Sequence, residues 1–361
     1  MQDTDPESLL VADRETLAVL AQDLAAADAV AIDTEFVRER TYFPKLCLLQ
    51  VATEGRVACI DCLADMDLAP IFASLFRDDC EWVLHSARQD LEIFWHLSQR
   101  MPAKLFDTQL AAALLGFAPQ IGLQDLVARE FSVQLDKTMT RTDWTRRPLP
   151  PAALDYALDD VRYLLALARQ LREELIAQDR YEWYQEDIAR QLADPPVSDA
   201  VSIWQRLKGT GKMSPTEQAA ALSLVRWREN EAQRMNRPRR WILSDEVLAR
   251  IARTQPSDRD ALAGIAEMPS RLATRSGDEI LDAVAESATE GLMDMVAAAT
   301  LPQPDKSELQ ALQAQVRQRA SELDIHTEVL ATRRDLVALV TGAAPTSLQA
   351  GWRARALRRE S

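Results

Sequence analysis

The chain has 361 residues, 47% hydrophobic and 27% charged, enough for two or three globular domains and unlike a disordered or fibrous protein. Its start, MQDTDPESLL, is acidic where a secretory signal needs basic residues and an apolar stretch, and no run of 18 apolar residues occurs, so a soluble, cytoplasmic chain without a membrane partner is expected. Four cysteines (Cys47, Cys59, Cys62, Cys80) are too few for a disulfide scaffold of this size and agree with a reducing compartment. The net charge of −14 is unevenly spread: residues 1–196 hold 19 Lys+Arg against 34 Asp+Glu (−15), and residues 197–361 hold 23 against 22 (+1). An acidic half suited to metal chemistry and a neutral half with clustered base can coexist in one polyanion-binding chain.

Strand-length apolar runs come first: VAID at 30–33, LCLLQVAT at 46–53, RVACID at 56–61 and EWVLH at 81–85. TEG, with Gly55, separates the second and third as a hairpin turn would. Helical patterning follows in LEIFWHLSQR, TQLAAALLG, LQDLVAREF and one long stretch from about 151 to 193. Strands followed by helices predict an α/β or α+β domain with a mixed sheet. DPPVSD at 194–199 reads as a linker. Residues 204–284 are helical with short breaks, and TLPQPDKS at 300–307 precedes further helix to about 340.

Asp33 and Glu35 lie two apart at the end of VAID, so a strand points both to one face. Adjacent carboxylates raise each other's pKa unless a cation sits between them; a divalent metal does this, and a strand running into solvent is the bland alternative. EWVLH leads into Ser86–Asp90, which sets Asp90 near the start of the next helix. Tyr156 and Asp160 stand at i and i+4 and share a helical face, while Asp155 and Asp159 point elsewhere. Carboxylates dispersed over strands and helices suit hard cations, and two such ions serve in-line phosphoryl displacement.

DTEF, HSARQDL and YALDDVRYL resemble the three motifs of the tyrosine-bearing branch of the DEDD exonucleases. YFPKLCLLQVAT, FDTQLAAALLG and LDKTMTRTDWTRRPLP resemble the ribonuclease D family over about the first 190 residues. WQRLKG and LVRWRENEAQRMNRPRRWILSDEVLARIA resemble a helicase-and-RNase-D C-terminal (HRDC) domain, and the last 60 residues a divergent second copy. The resemblance implies an RNase H-like α/β exonuclease domain over 1–196, with a mixed sheet flanked by helices, and two small all-α domains over 197–290 and 300–361. It implies that Asp33, Glu35, Asp90 and Asp160 hold two divalent cations (Mg²⁺ or Mn²⁺) and that Tyr156 positions, and helps deprotonate, the attacking water. A phenol of ordinary pKa near 10 is a poor base at neutral pH, so metal activation has to contribute most. The implied reaction is 3′→5′ hydrolysis releasing nucleoside 5′-monophosphates from RNA, notably tRNA precursors and small structured RNAs, by a monomer. A DNA exonuclease on the same fold and a non-catalytic RNA-binding scaffold are the rival readings; the WTRRP insert and helical tail weigh against the first, the intact acids against the second.

Other features are weaker. Cys59-x-x-Cys62 has no second ligand pair for zinc. His96 and His326 lack spaced partners. His85, five residues before Asp90, is either a contact near the scissile phosphate or a structural histidine. Asp107 suits a helix cap. Basic clusters at 141–147 and 228–241 interleave base with Trp144, Trp227 and Trp241, as nucleic-acid surfaces do, although core packing explains such tryptophans equally. His85, Lys137, Arg141, Arg237, Arg239 and Arg240 are assigned as RNA contacts, with Arg353, Arg355, Arg358 and Arg359 a weaker terminal set. The tail is expected to supply much of the RNA capture, so truncation after about Ala193 should leave the chemistry on short single-stranded RNA but weaken binding of structured, tRNA-like substrates.

Overall fold

The computed structural model describes residues 7–136, 142–287, 290–342 and 347–358. Strands β1 (Glu7–Val11), β2 (Ala29–Val37), β3 (Lys45–Ala52), β4 (Arg56–Asp61), β5 (Glu81–Leu84) and β6 (Lys104–Asp107) form one mixed sheet in the order β1-β4-β3-β2-β5-β6. β2, β3 and β4 are an antiparallel meander, and β5 and β6 continue it in parallel from β2. The edge strands β1 and β6 are only five and four residues long, too short to stand out as alternating patterns. β2 also runs four residues past VAID, because Phe36 and Val37 still pair with Leu46 and Lys45. Asp33 and Glu35 are therefore inside a paired strand, not at its end.

Helices α1 (Arg14–Ala26), α2 (Ala69–Leu75), α3 (Arg88–Ser98), α4 (Thr108–Leu114) and α5 (Leu123–Phe131) connect the strands or follow them. The stretch from 151 to 193 is three helices, α6 (Pro151–Arg162), α7 (Leu164–Ala177) and α8 (Tyr181–Ala193), broken at Tyr163 and at Asp179, whose φ is +54°. The core between sheet and helices is centred on Trp82, Phe94 and Phe76; Trp82 and Phe94 are fully buried with ring centroids 4.5 Å apart.

The second unit comprises α9 (Ala200–Gln205), α10 (Pro215–Met235), α11 (Arg239–Ile242), α12 (Asp245–Thr254), α13 (Arg259–Ala263), α14 (Ser270–Glu286) and α15 (Glu290–Ala299). Ser214 and Glu217 form a capping box that starts α10. Leu222 and Val225 of α10 meet Leu248 and Ile251 of α12 and Ile280 of α14 in a core of their own.

In the last helices, α16 (Lys306–Glu322) packs on α17 (Thr327–Leu330), α18 (Arg333–Thr341) and α19 (Gly351–Leu357). Val316, Leu330 and Trp352 join the core of the exonuclease unit. Trp352 stacks on Trp183 of α8 at 4.6 Å and 7°, and its Nε1 donates to Asp187 Oδ1 at 3.2 Å. The Arg353 guanidinium grips both oxygens of Asp187, and Arg355 pairs with Glu186. Arg353 and Arg355 thus tie α19 to α8, Arg355 remaining largely exposed; Arg358 is exposed, and Arg359 lies outside the described residues. Cutting near Ala193 would therefore strip apolar surface from α8.

Candidate active site

Each acid is delivered by a distinct local device. Pairing of β2 with β3 at Asp33↔Gln50 and Glu35↔Leu48 sets the two carboxylates on one face. Asp90 is in the first turn of α3, and the turn leading to it is held by Asp107. That carboxylate accepts from the backbone N–H of Ser86 (3.1 Å) and Ala87 (2.9 Å) while also capping α4 through Gln109 and Leu110. Ser86 is held at φ +63°, a left-handed conformation that such bonds stabilise. α6 packs over β2, β3 and β4 on its small residues Ala153 and Ala157, both fully buried, which lets the helix come close and brings Tyr156 and Asp160 to the acids.

Ligand oxygens of Asp33, Glu35 and Asp160 all lie within 4.8 Å of one another. Asp90 is buried beside them, with its Oδ1 accepting the Thr34 hydroxyl at 2.6 Å. Tyr156 hydrogen-bonds Asp160. Burial, together with the charges of Asp90, Asp160 and Glu35, pushes the Asp33 carboxyl well above its ordinary range. Glu35 is pushed up to about 8 by burial and by Asp160 and Asp90. Burial likewise takes Asp90 to about 7, against the pull of Thr34, and Asp160 to about 7, against that of Tyr156. A compact set of carboxylate oxygens with suppressed ionisation fits a hard divalent cation, which would ionise them all at once. The Tyr156 phenol is raised above 10 by burial and then by Asp160, Glu35 and Asp33, so it stays protonated.

The five residues Asp33, Glu35, Asp90, Tyr156 and Asp160 thus converge. The assigned RNA contacts fare differently. Both ring nitrogens of His85 are taken, Nδ1 by Thr108 Oγ1 and Nε2 by the Ile121 carbonyl, each at 2.9 Å; burial lowers its pKa. These bonds fix the ring of His85 between β5, α4 and the segment before α5. Lys137 and Arg141 lie outside the described residues. Trp144 is buried near Tyr156, with ring centroids 6.4 Å apart, and Arg147 grips Asp61 through two 2.6 Å bonds, so this end of the first basic cluster anchors a loop beside the site. Arg237 is exposed, and Arg240 is mostly exposed with a 3.3 Å contact to Asp245. Arg239 pairs with Glu229 and lies over the Tyr42 ring.

A cavity of about 750 Å³ opens between the exonuclease unit and the first helical unit. Arg38, Arg88, Arg206 and Arg239 line it, together with Glu92 and the stacked rings of Phe43 and His96, 3.9 Å apart. Arg38 is three residues beyond Glu35 and Arg88 two before Asp90, so this basic pocket adjoins the acids along the chain. His96 has no signal in the sequence for this place; only packing of α3 against the β2–β3 connection brings it to Phe43. Thr34 and Asp107, as partners of Asp90 and its turn, were equally invisible, although both sit in motif stretches.

This fold and site define a 3′→5′ exonuclease with an HRDC domain: the 3′-5′ exonuclease family matches residues 10–176, and the HRDC domain family matches 217–284. The ribonuclease D of Gluconacetobacter diazotrophicus is 38% identical over 359 residues, covering 96% of this chain and 90% of that protein. That of Xanthomonas oryzae pv. oryzae is 38% identical over 325 residues, covering 86% of each. The crystal structure of Escherichia coli RNase D, described as an exoribonuclease involved in structured RNA processing, superposes with a TM-score of 0.82 at 27% identity, covering 97% of each chain. The chain belongs to the ribonuclease D family. It is a metal-dependent 3′→5′ exoribonuclease, and among its described residues no helix is long and apolar enough to cross a membrane.

Proposed function

We propose that Asp33, Glu35, Asp90 and Asp160 hold two divalent cations, Mg²⁺ or Mn²⁺, and that the enzyme trims the 3′ ends of tRNA precursors and other small structured RNAs. The observation that carries this is the packing of three carboxylate ligand oxygens within 4.8 Å; the substrate class draws support from the structured-RNA role of the Escherichia coli protein. Bound divalent cations would supply a water of lowered pKa and neutralise the charge developing on the phosphate. The chain's own residues do the rest. Tyr156, hydrogen-bonded to Asp160, positions the attacking water by its hydroxyl and helps deprotonate it. The products are nucleoside 5′-monophosphates, because attack on the terminal phosphodiester expels the 3′ oxygen of the next nucleotide.

RNA reaches the acids through the basic cavity lined by Arg38, Arg88, Arg206 and Arg239. The exposed Arg237 and Arg240 extend that track, and by the family resemblance Lys137 and Arg141 also contact RNA. A −15 exonuclease half needs such cations, since phosphate neutralisation dominates nucleic-acid affinity. We assign residues 1–196 to the exonuclease domain, 197–290 to the HRDC domain and 300–361 to a divergent HRDC-like segment serving chiefly as a brace, in a cytoplasmic monomer.

The test is degradation of a 5′-labelled tRNA precursor and its DNA counterpart with Mg²⁺, Mn²⁺ or EDTA. Stepwise shortening of RNA with release of 5′-monophosphates, abolished by EDTA, is expected. Endonucleolytic fragments, 3′-monophosphate products or undiminished activity in EDTA would overturn the reading. Equal rates on DNA would favour the rival DNA exonuclease.

A further inference from the structure

β3 is apolar from Leu46 to Ala52 except at one position. Gln50 is fully buried, and among the described residues neither its amide nitrogen nor its amide oxygen has a hydrogen-bond partner. Its place is specific: the register sets Gln50 opposite Asp33 on β2 and opposite Cys59 on β4. Directly paired residues project to the same face of a sheet, so Asp33, Gln50 and Cys59 form a row beneath α6, which packs on all three strands. The charges of Asp33, Asp160 and Glu35 are felt as far along this row as Cys59, and Gln50 lies between. Two N–H donors are therefore held, unpaired, against the acid cluster.

An apolar side chain of similar volume would fill this position without the cost of burying an unpaired amide. The amide has a use only if its partner arises in another state of the site. A carboxylate that gives one oxygen to a cation keeps a second that accepts hydrogen bonds, and donors to that oxygen orient the ligand and tune its affinity. We propose that Gln50 is a positioning residue of the metal centre, its amide N–H donating to the carboxylate oxygen of Asp33 that the divalent cation does not use. This rests on the metal-centre reading above, and goes beyond it by assigning a role to a residue outside the acids and the tyrosine.

Gln50→Met keeps an unbranched side chain of similar length and removes all hydrogen bonding. The full-length wild type and variant are compared by Mn²⁺ titration calorimetry and by thermal unfolding in EDTA. The expected result is a melting temperature in EDTA equal to or above that of wild type, with Mn²⁺ affinity lowered about 10- to 100-fold. Gln50→Leu should repeat the pattern. A lower melting temperature in EDTA for both variants would make Gln50 a contributor to the metal-free fold and overturn the proposal. Unchanged Mn²⁺ affinity would overturn it too, as it must if the amide is satisfied by a buried water. A wild type that binds no Mn²⁺ would instead defeat the metal-centre reading itself, so the two failures are distinct.

Discussion

The hydroxyl of Thr34 donates to Asp90 Oδ1 across 2.6 Å, joining the residue between the two acids of β2 to the acid of α3. Thr34 projects to the opposite face from Asp33 and Glu35, so the strand engages Asp90 with one face while it presents the pair with the other. Removing this donor leaves a buried carboxylate whose ionisation is opposed by burial and helped by the Thr34 backbone but no longer by its hydroxyl. Thr34→Val, which keeps the β-branch, should lower metal affinity and kcat by about 10-fold or more, and Thr34→Ser should restore most of the loss. Wild-type Mn²⁺ binding and kcat in Thr34→Val would show that the bond is incidental.

Asp33 should prove essential for turnover and dispensable for folding. It is the acid on which Asp90, Asp160 and Glu35 all act to oppose ionisation, so Asp33→Asn removes repulsion. In EDTA the variant should unfold at or above the wild-type temperature, with a gain on the order of 1 kcal/mol, equivalent to about one pKa unit. Exonuclease activity should fall by at least about 1000-fold, the scale of losing a central electrostatic group. Near wild-type RNA degradation by this variant would remove Asp33 from the metal site.

The same acids give the metal-free protein a defined pH dependence. Glu35 is raised to about 8 from 4.5, and Asp90 and Asp160 to about 7 from 3.8. Between the lower and upper values the folded state keeps protons that the unfolded chain has released, so these groups make stability fall as pH rises through that window. Thermal unfolding in EDTA and in excess Mg²⁺ should therefore agree near pH 5 and diverge towards pH 8, where the cation stabilises the ionised acids. A gap between the two curves that does not widen with pH would contradict the raised carboxyls.

Tyr156 carries a hydroxyl that acts on the water and not on the bound RNA, so Tyr156→Phe should lower kcat by about 100-fold and leave KM within about twofold. Single-turnover kinetics on a short RNA make the check. A change confined to KM would mean that Tyr156 packs against substrate and does not act on the water.

The terminal helices are expected to brace the catalytic unit. Trp352 is fully buried, stacked on Trp183 and hydrogen-bonded to Asp187, so Trp352→Ala should cost about 3–5 kcal/mol of stability. Urea unfolding of the full chain, followed by both circular dichroism and exonuclease activity, reads the loss. Unchanged stability would mean that the tail is separable after all.

The acids, the tyrosine and the alternation from strands to helices were legible in the sequence because each rests on a local rule. A period of two sets Asp33 beside Glu35, a period near four sets Tyr156 beside Asp160, and motif resemblance joined them to Asp90. What the sequence could not determine depends on pairings between distant segments. β2 runs past the acids because β3 continues to pair with it; Asp107 holds the Ser86 turn across the sheet; His85 spends both ring nitrogens on Thr108 and Ile121. The +1 charge of the second half said nothing about which arginines are free, and the fold commits Arg353 and Arg355 to α8 while Arg237 stays exposed. The helical pattern after 300 leaves open what its apolar faces cover, and in the structure Val316, Leu330 and Trp352 are continuous with the exonuclease core. Periodicity reports that a face is apolar, and only tertiary packing decides which surface covers it.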